Sequence, residues 1–366
     1  MRPIGILTFH RASNYGAVLQ AYALQQAFRK IGSDAVIVNY LNKVVEGDHR
    51  PVGLFTHHNP VSAALRYPIK AKKDRLFNEF RSRKLVMTEE VLPDELSSLK
   101  DSFSLFVTGS DQVWNDRFSG LDPAYMLTFA QEQQRYSYAC SFGFEEFPEG
   151  KEDRYKELLS GMQCLSLREM SGKELVEKIG LEGRVDLDPT LLLDEEHWRE
   201  FSKAPKVSGH YILVYTVNPD VHLVEFARKL SAETGCGIMY LNNQYKSNRD
   251  LIRVRYASPE EYVGWFANAQ YVLTNSFHGT AFSIIFHRRF KVELETKKKF
   301  NVRSRDLLIN CGLQNCILRN NSEDHFFNTE WEEADRLLDS GRELSRDYLK
   351  KIVERAGALQ EEMSKE

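Results

Sequence analysis

Tyr271-Val272-Leu273-Thr274-Asn275-Ser276-Phe277-His278-Gly279-Thr280-Ala281-Phe282 changes character twice within one short segment. Tyr271 to Thr274 are aromatic, aliphatic and β-branched, as a buried strand requires. Asn275 and Ser276 are small and polar and mark the end of the strand. From Phe277 onward apolar residues return at helical density. A strand that passes through a short polar turn into a helix is the repeating unit of a parallel sheet covered by helices.

The same change recurs in both directions along the chain. Ile4 to Phe9 reads as a buried strand, and Gly16 to Ile31 as the helix that follows it. Short strands are expected at Ala35 to Val38, Ser104 to Val107, Tyr136 to Cys140, Leu165 to Leu167 and Val185 to Leu187. Beyond a polar stretch with Pro and Gly, Ser202 to Gly209, the alternation restarts with Tyr211 to Thr216, Val221 to Glu233 and Gly237 to Leu241. Ser258 with Glu261 three residues later is a capping-box pattern. The fold class is therefore α/β, with two Rossmann-like domains facing a cleft. Their expected extents are residues 1–200 and 209–345, followed by a charged helical tail at 346–366. Ligands of open α/β sheets sit beyond the carboxyl ends of the strands, which directs attention to the polar segments found there.

Composition limits the function classes. The 366 residues carry a formal net charge of −3, which gives no global attraction to nucleic acid. The five cysteines form no CxxC pair, and scattered thiols suit a reducing compartment. No cluster has metal-ligand spacing, so no metal is expected. No run approaches the roughly 20 apolar residues of a membrane span, so a cytoplasmic protein is expected. The segment from Arg66 to Lys84 has eight Lys or Arg against two acids. It reads as a helical arm with a wet basic face, or as a peripheral contact with anionic lipid at the inner membrane surface.

Five segments at strand ends are candidates for chemistry. In the first, Asn14 or Ser13 caps a helix, Tyr15 and Gly16 follow, and amides at the helix start favour an anion; the plainer alternative is a tight turn. In the second, Ser110 and Asp111 follow a strand. Asp111 suits sugar hydroxyls or a helix cap, and Trp114 suits a sugar ring or the core. In the third, Arg168 offers a planar fork to phosphate or carboxylate, or simply pairs with Glu169 on the surface. In the fourth, Asn275, Ser276, Gly279 and Thr280 surround His278, placed to donate a proton to an anion or act as acid–base. In the fifth, Arg303 and Arg305 form a solvated helix face or close over an anion.

Taken in order, these segments resemble the polysaccharide pyruvyl transferase family. The matching pieces are Thr8-Phe9-His10 with Asn14 to Gln25, Gly109 to Asn115, Ser137-Tyr138-Ala139 with Ser141-Phe142-Gly143, Ser166-Leu167-Arg168-Glu169, Asp188 to Leu193, Thr274 to Thr280 and Arg303 to Leu308. The resemblance implies a GT-B-like fold. It implies transfer of pyruvate from phosphoenolpyruvate to two hydroxyls of one sugar, with a glycan acceptor, free or lipid-linked, and no cofactor. By motif position, the family's donor-site arginine and histidine fall on Arg168 and His278. The chain departs from the family in having Ser276 where several members have arginine. Arg303 or Arg305 then stands as a candidate replacement. Alanine in place of Arg168 or His278 is expected to remove most turnover while the fold is kept. The competing readings are a glycosyltransferase with a nucleotide-sugar donor, its ribose held by Glu293 or Glu295, and a carbohydrate-binding protein without turnover.

Overall fold

A computed structural model describes residues 2–42, 44–45, 60–217, 221–241, 251–294, 302–319 and 329–363, with 60–70 and 221 described in backbone only. The chain divides into two compact units. The first comprises Met1–Tyr67, Phe77–Leu193 and Ser340–Glu366, and the second Pro68–Leu76 and Asp194–Asp339.

In the first unit the strands are β1 (Ile4–Leu7), β2 (Ala35–Tyr40), β3 (Met87–Val91), β4 (Phe106–Thr108), β5 (Arg135–Ser137), β6 (Leu165–Leu167) and β7 (Gly183–Val185). The first five form one sheet in the order β3-β2-β1-β4-β5, all pairs parallel. Isolated parallel bridges at Tyr136–Cys164 and Cys140–Leu167 continue it to the β6-β7 pair. This is the Rossmann strand order, in which the chain reverses direction across the sheet between β1 and β4. Every residue of β1 is buried, as expected for a central parallel strand covered on both faces.

The helices associated with this unit are α1 (Tyr15–Lys30), part of α2 (Pro60–Lys84), α3 (Asp116–Ser119), α4 (Glu152–Leu159), α5 (Met170–Lys178) and α6 (Pro189–Leu192). Asn14 caps α1, accepting from the Ala17 amide. Phe77 and Phe80 of α2 are buried, their rings against Tyr15 and Tyr22 of α1. The apolar side of the basic arm is thus spent on the core, which leaves its described charges as a solvated face. Arg66 and Lys70, part of the expected lipid-contact surface, have side chains outside the described residues.

The second unit repeats the plan. Strands β8 (Tyr211–Tyr215), β9 (Gly237–Tyr240), β10 (Ile252–Arg253), β11 (Tyr271–Thr274) and β12 (Arg289–Val292) form a parallel sheet in the order β10-β9-β8-β11-β12. Its helices include α7 (Glu195–Phe201), α8 (Val221–Thr234), α9 (Pro259–Asn268), α10 (Phe277–Ile285) and α11 (Val302–Asn310). Ser258 and Glu261 make the reciprocal capping box at the start of α9. Here the reversal lies between β8 and β11.

Four expectations need correction. The strand expected at Tyr136 to Cys140 ends at Ser137, because Ala139 takes a left-handed conformation (φ 47°). The strand expected at Val185 to Leu187 lies at Gly183–Val185. Residues 346–363, the described part of the expected tail, are not a separate element. They continue α12 (Trp331–Met363), whose part from Ser340 belongs to the first unit. The reason is amphipathic packing: Tyr348, Leu349, Ile352, Ala356 and Leu359 are buried at helical spacing. Tyr348 Oη donates to the Ser137 carbonyl (2.9 Å), and Arg342 and Arg346 donate to the carbonyls of Leu191 and Leu192. The first unit also ends at Leu193 rather than near 200, since α7 packs Trp198 on Phe282 of the second.

Candidate active site

The strand ends of the first unit hold a buried charge cluster. Arg168, directly after β6, has a side chain only 1% exposed. Its Nη1 donates to Asp188 Oδ2 at 3.0 Å, and Glu169 and Asp111 carboxylates lie 3.7 and 3.8 Å from Nε and Nη2. Burial acts to lower the Arg168 pKa, and the three carboxylates outweigh it, so the guanidinium is held charged. The expected open fork is therefore turned inward, and the pair with Glu169 is buried rather than on the surface. The cause is that a buried cation needs fixed partners more than it needs a ligand.

Asp188 is the hub of this cluster and was not foreseen as such. One of its oxygens caps α6, accepting from the Thr190 amide and hydroxyl, and the other accepts from Ser110 Oγ as well as Arg168. The Asp188-Pro189-Thr190 sequence is a helix-start signature, so the cap was legible in principle. Ser110 is fully buried in this network and presents no surface to a substrate. Glu169 accepts from Ser141 Oγ at 2.6 Å.

Asp111 differs from its neighbours. Its backbone is left-handed (φ 78°), and its side chain is partly exposed rather than capping a helix. Asn115, not Asp111, caps α3. Trp114 belongs to the core, fully buried with Nε1 donating to the Tyr125 carbonyl. Asp111 instead borders a cavity of ≈ 190 Å³ together with Asn14, Phe9, Gln112 and Phe118. Tyr15 and Gly16 lie in the first turn of α1, with Tyr15 packed on Phe77 and Gly16 buried. His10, also after β1, is driven down to about 4 by burial and so is neutral near pH 7.

In the second unit the polar residues of the strand–helix junction are mostly spent on the junction itself. Ser276 caps α10, its Oγ accepting from the Gly279 amide (3.3 Å), and its carbonyl accepts from Thr280 N and Oγ1. The amides of Gly279 and Thr280 are thereby committed to the cap and the first turn. These two amides, which helix-start geometry would offer to an anion, are thus already engaged within the junction. Gly279 is needed for packing: a Cβ there meets the Thr274 side chain. Asn275 Oδ1 accepts from the Val217 amide (2.8 Å), tying the end of β11 to the end of β8. The position where the resemblance expects an arginine is used here as a helix cap.

His278 stands in the first turn of α10, 8% exposed, with its ring edge-on to Phe277 at 5.1 Å between centroids. The Arg303 guanidinium lies 6.0 Å from the Phe277 ring centre, at the outer edge of cation–π range. Arg305 is separated from these groups in character: it is half exposed and pairs with Asp306 at 3.4 Å. The two candidate arginines thus part, and Arg303 is the one that shares Phe277 with His278. Phe277 itself was missed, because an aromatic at helical spacing reads as core. Glu293 is described, whereas Glu295 lies outside the described residues.

Among the described residues no group of His, Cys, Asp or Glu is arranged to hold a metal ion. Nor is any described helix long and apolar enough to cross a membrane. The described cysteines are free thiols, and Cys140 is raised well above the usual thiol range by burial.

Known proteins extend the picture. A family model described as polysaccharide pyruvyl transferase matches residues 14–290. No curated protein matches the chain. Among solved structures the chain is similar to the UDP-GlcNAc 2-epimerase of Methanocaldococcus jannaschii in complex with UDP-GlcNAc and UDP. The TM-score is 0.50 and the identity 12%, over 93% of this chain and 99% of that one. It is also similar to MnaA of S. aureus with UDP, with TM-score 0.50 and 8% identity over 94% and 90% of the two chains. At such identities the likeness concerns the fold alone, which is α/β with two Rossmann-like units of GT-B-like type. The family match spans most of the chain and includes the strand-end segments of both sheets, and the chain belongs to the polysaccharide pyruvyl transferase family.

Proposed function

We propose that the chain transfers pyruvate from phosphoenolpyruvate to two hydroxyls of one sugar, closing a cyclic ketal and releasing phosphate. The observation that carries this reading is the family match over residues 14–290, within which Arg168 and His278 both fall. In the proposed reaction, protonated His278 donates to the methylene carbon of phosphoenolpyruvate, which becomes a methyl group. C2 turns electrophilic and a sugar hydroxyl adds to it, its proton passing to the now neutral His278. The C2–O bond to phosphate then breaks, and the second hydroxyl closes the ring as its proton passes to the departing phosphate.

Arg303 is the cation proposed to meet the donor's negative charge, supported by its place beside Phe277 and half-buried state. Arg168 is proposed as a positioning residue. It orders Asp111, Glu169 and Asp188, and its committed guanidinium suits that role better than a clamp on an anion. The scheme needs no cofactor beyond the donor substrate. The acceptor, free or lipid-linked, is a glycan.

The test is phosphate release from phosphoenolpyruvate in the presence of surface-polysaccharide repeat units, with the ketal methyl group followed by NMR. His278→Ala is expected to lower kcat by roughly 10²–10⁴-fold with an unchanged unfolding midpoint. Near-normal turnover in that variant removes His278 from the mechanism. Thermal stabilisation by a UDP-sugar and not by phosphoenolpyruvate moves the chain to the nucleotide-sugar reading.

A further inference from the structure

The turn at Asp188, on which Arg168 and Ser110 converge, is gripped by a segment that lies outside the strand-end motifs. Three side chains of α12 reach its backbone. Ser345 Oγ accepts from the Leu187 amide at 3.0 Å, Arg342 Nε donates to the Leu191 carbonyl at 2.7 Å, and Arg346 Nη2 donates to the Leu192 carbonyl at 2.9 Å. We propose that Arg342, Ser345 and Arg346 are positioning residues. They fix the main chain on both sides of Asp188 and, through it, the charge cluster around Arg168. That this cluster serves turnover rests on the pyruvyl-transfer reading; that α12 orders the cluster does not.

The bonds converge on one residue from two directions. Before Asp188, Leu187 is held at both of its backbone groups, since its carbonyl accepts from Tyr138 Oη at 3.0 Å. After it, Leu191 and Leu192 end α6, a helix of a single turn, so their carbonyls have no later amide within that helix. Arginine suits the task because it brings fixed N–H donors and positive charge to a carbonyl end. Between these anchors both Asp188 oxygens are committed, Oδ1 to the Thr190 amide and hydroxyl and Oδ2 to Ser110 and Arg168. Asp188 is also the nearest of the three carboxylates around Arg168, at 3.0 Å against 3.7 and 3.8 Å. A displacement of the turn therefore reaches Arg168 directly, and misplacement by about 1 Å can slow a reaction roughly 10²-fold.

Docking of α12 does not need these three side chains. Its apolar stripe is already buried through Tyr348, Leu349, Ile352, Ala356 and Leu359. Positions 341, 342, 345 and 346 share the helix face one turn earlier. There Gly341 comes so near Leu187 that a Cβ would stand 3.1–3.4 Å from its side chain. Arg184, fixed by Asp186 at 2.7 and 2.8 Å, donates to the Leu344 carbonyl and lies 4.3 Å from the Tyr348 ring centre. The register of α12 along residues 184–192 is thus set by polar contacts to the backbone, beyond what burial of the stripe requires.

The test follows the Nε–H signal of Arg168 by NMR in the full chain, assigned with Arg168→Lys. In the unsubstituted chain this buried group is expected to give a resolved, slowly exchanging signal. Arg342→Met combined with Arg346→Met removes both donors and keeps their apolar stems. Exchange at Arg168 is expected to quicken about tenfold in that variant. Its kcat for phosphate release is expected to fall about tenfold with KM little changed. Lysine at both positions retains a donor on each stem and is expected to restore both readings. Lys350→Met, on the exposed side of α12, is expected to move neither. Should the double variant not fold, Arg346→Met alone gives the same readings with one donor removed. An unchanged Arg168 signal in the methionine variant overturns the proposal, even if the unfolding midpoint falls. A perturbed signal with unchanged kcat overturns the positioning role and leaves the pyruvyl reading standing. No phosphate release from the unsubstituted chain overturns the pyruvyl reading instead. The signal needs no substrate, so its change with methionine and return with lysine then still supports the grip of α12 on the cluster.

Discussion

Arg168 at the end of β6 and His278 beyond the end of β11 are both more than nine-tenths buried, yet their surroundings are opposite. Around Arg168 the structure places Asp188, Glu169 and Asp111, so burial is compensated by charge. Around His278 stand Thr274, Asn275, Ser276 and Thr280, whose hydrogen bonds to neighbouring amides and carbonyls close the strand–helix junction. Two sheets with the same strand order thus end in two different chemistries. A buried ion cluster is rigid and costly to break, whereas a cap built from neutral side chains is cheap. The difference teaches that strand order assigns positions, while the residues at those positions decide between scaffold and chemistry.

The comparison breaks most easily at the charge cluster. Arg168→Ala leaves three carboxylates without their shared cation and is expected to destabilise the first unit by about 3–5 kcal/mol. Denaturant unfolding measures this, and a loss under about 1 kcal/mol would mean that the cluster is not a scaffold. This revises the expectation that alanine at Arg168 keeps the fold intact. Gly279→Ala comes next: the added methyl meets Thr274, at a cost of about 1–3 kcal/mol in the second unit. A neutral result in thermal unfolding would show that β11 and α10 pack less tightly than the structure describes. Ser276→Ala is the smallest, about 1 kcal/mol for a lost N-cap. A markedly larger loss would assign Ser276 more than a capping role.

The second site was largely legible from sequence because its interactions are short-range. The cap from Ser276 to Gly279 spans three residues, and the glycine beside a strand–helix turn announces close packing. What the pattern hid was the use of the Gly279 and Thr280 donors, since counting helix-start amides says nothing about which are already occupied. The first site was less legible. Ser110 and Asp188 meet across 78 residues and Arg168 and Asp188 across 20, so no local pattern couples them. Arg168 next to Glu169 reads as a surface pair until the bridges from Cys140 to Leu167 place β6 inside the sheet.

Sequence alone determined the alternation of strand and helix, the restart after Gly209, and the capping box at Ser258. These depend on periodicity and on hydrogen bonds between residues a few positions apart. Tertiary structure decided the rest. It turned Arg168 inward, parted Arg303 from Arg305, drew residues 346–363 into the first unit and opened a cavity beside Asp111. Each of those outcomes depends on which strand lies beside which and on what burial costs a charge. Neither is set until the sheet has assembled.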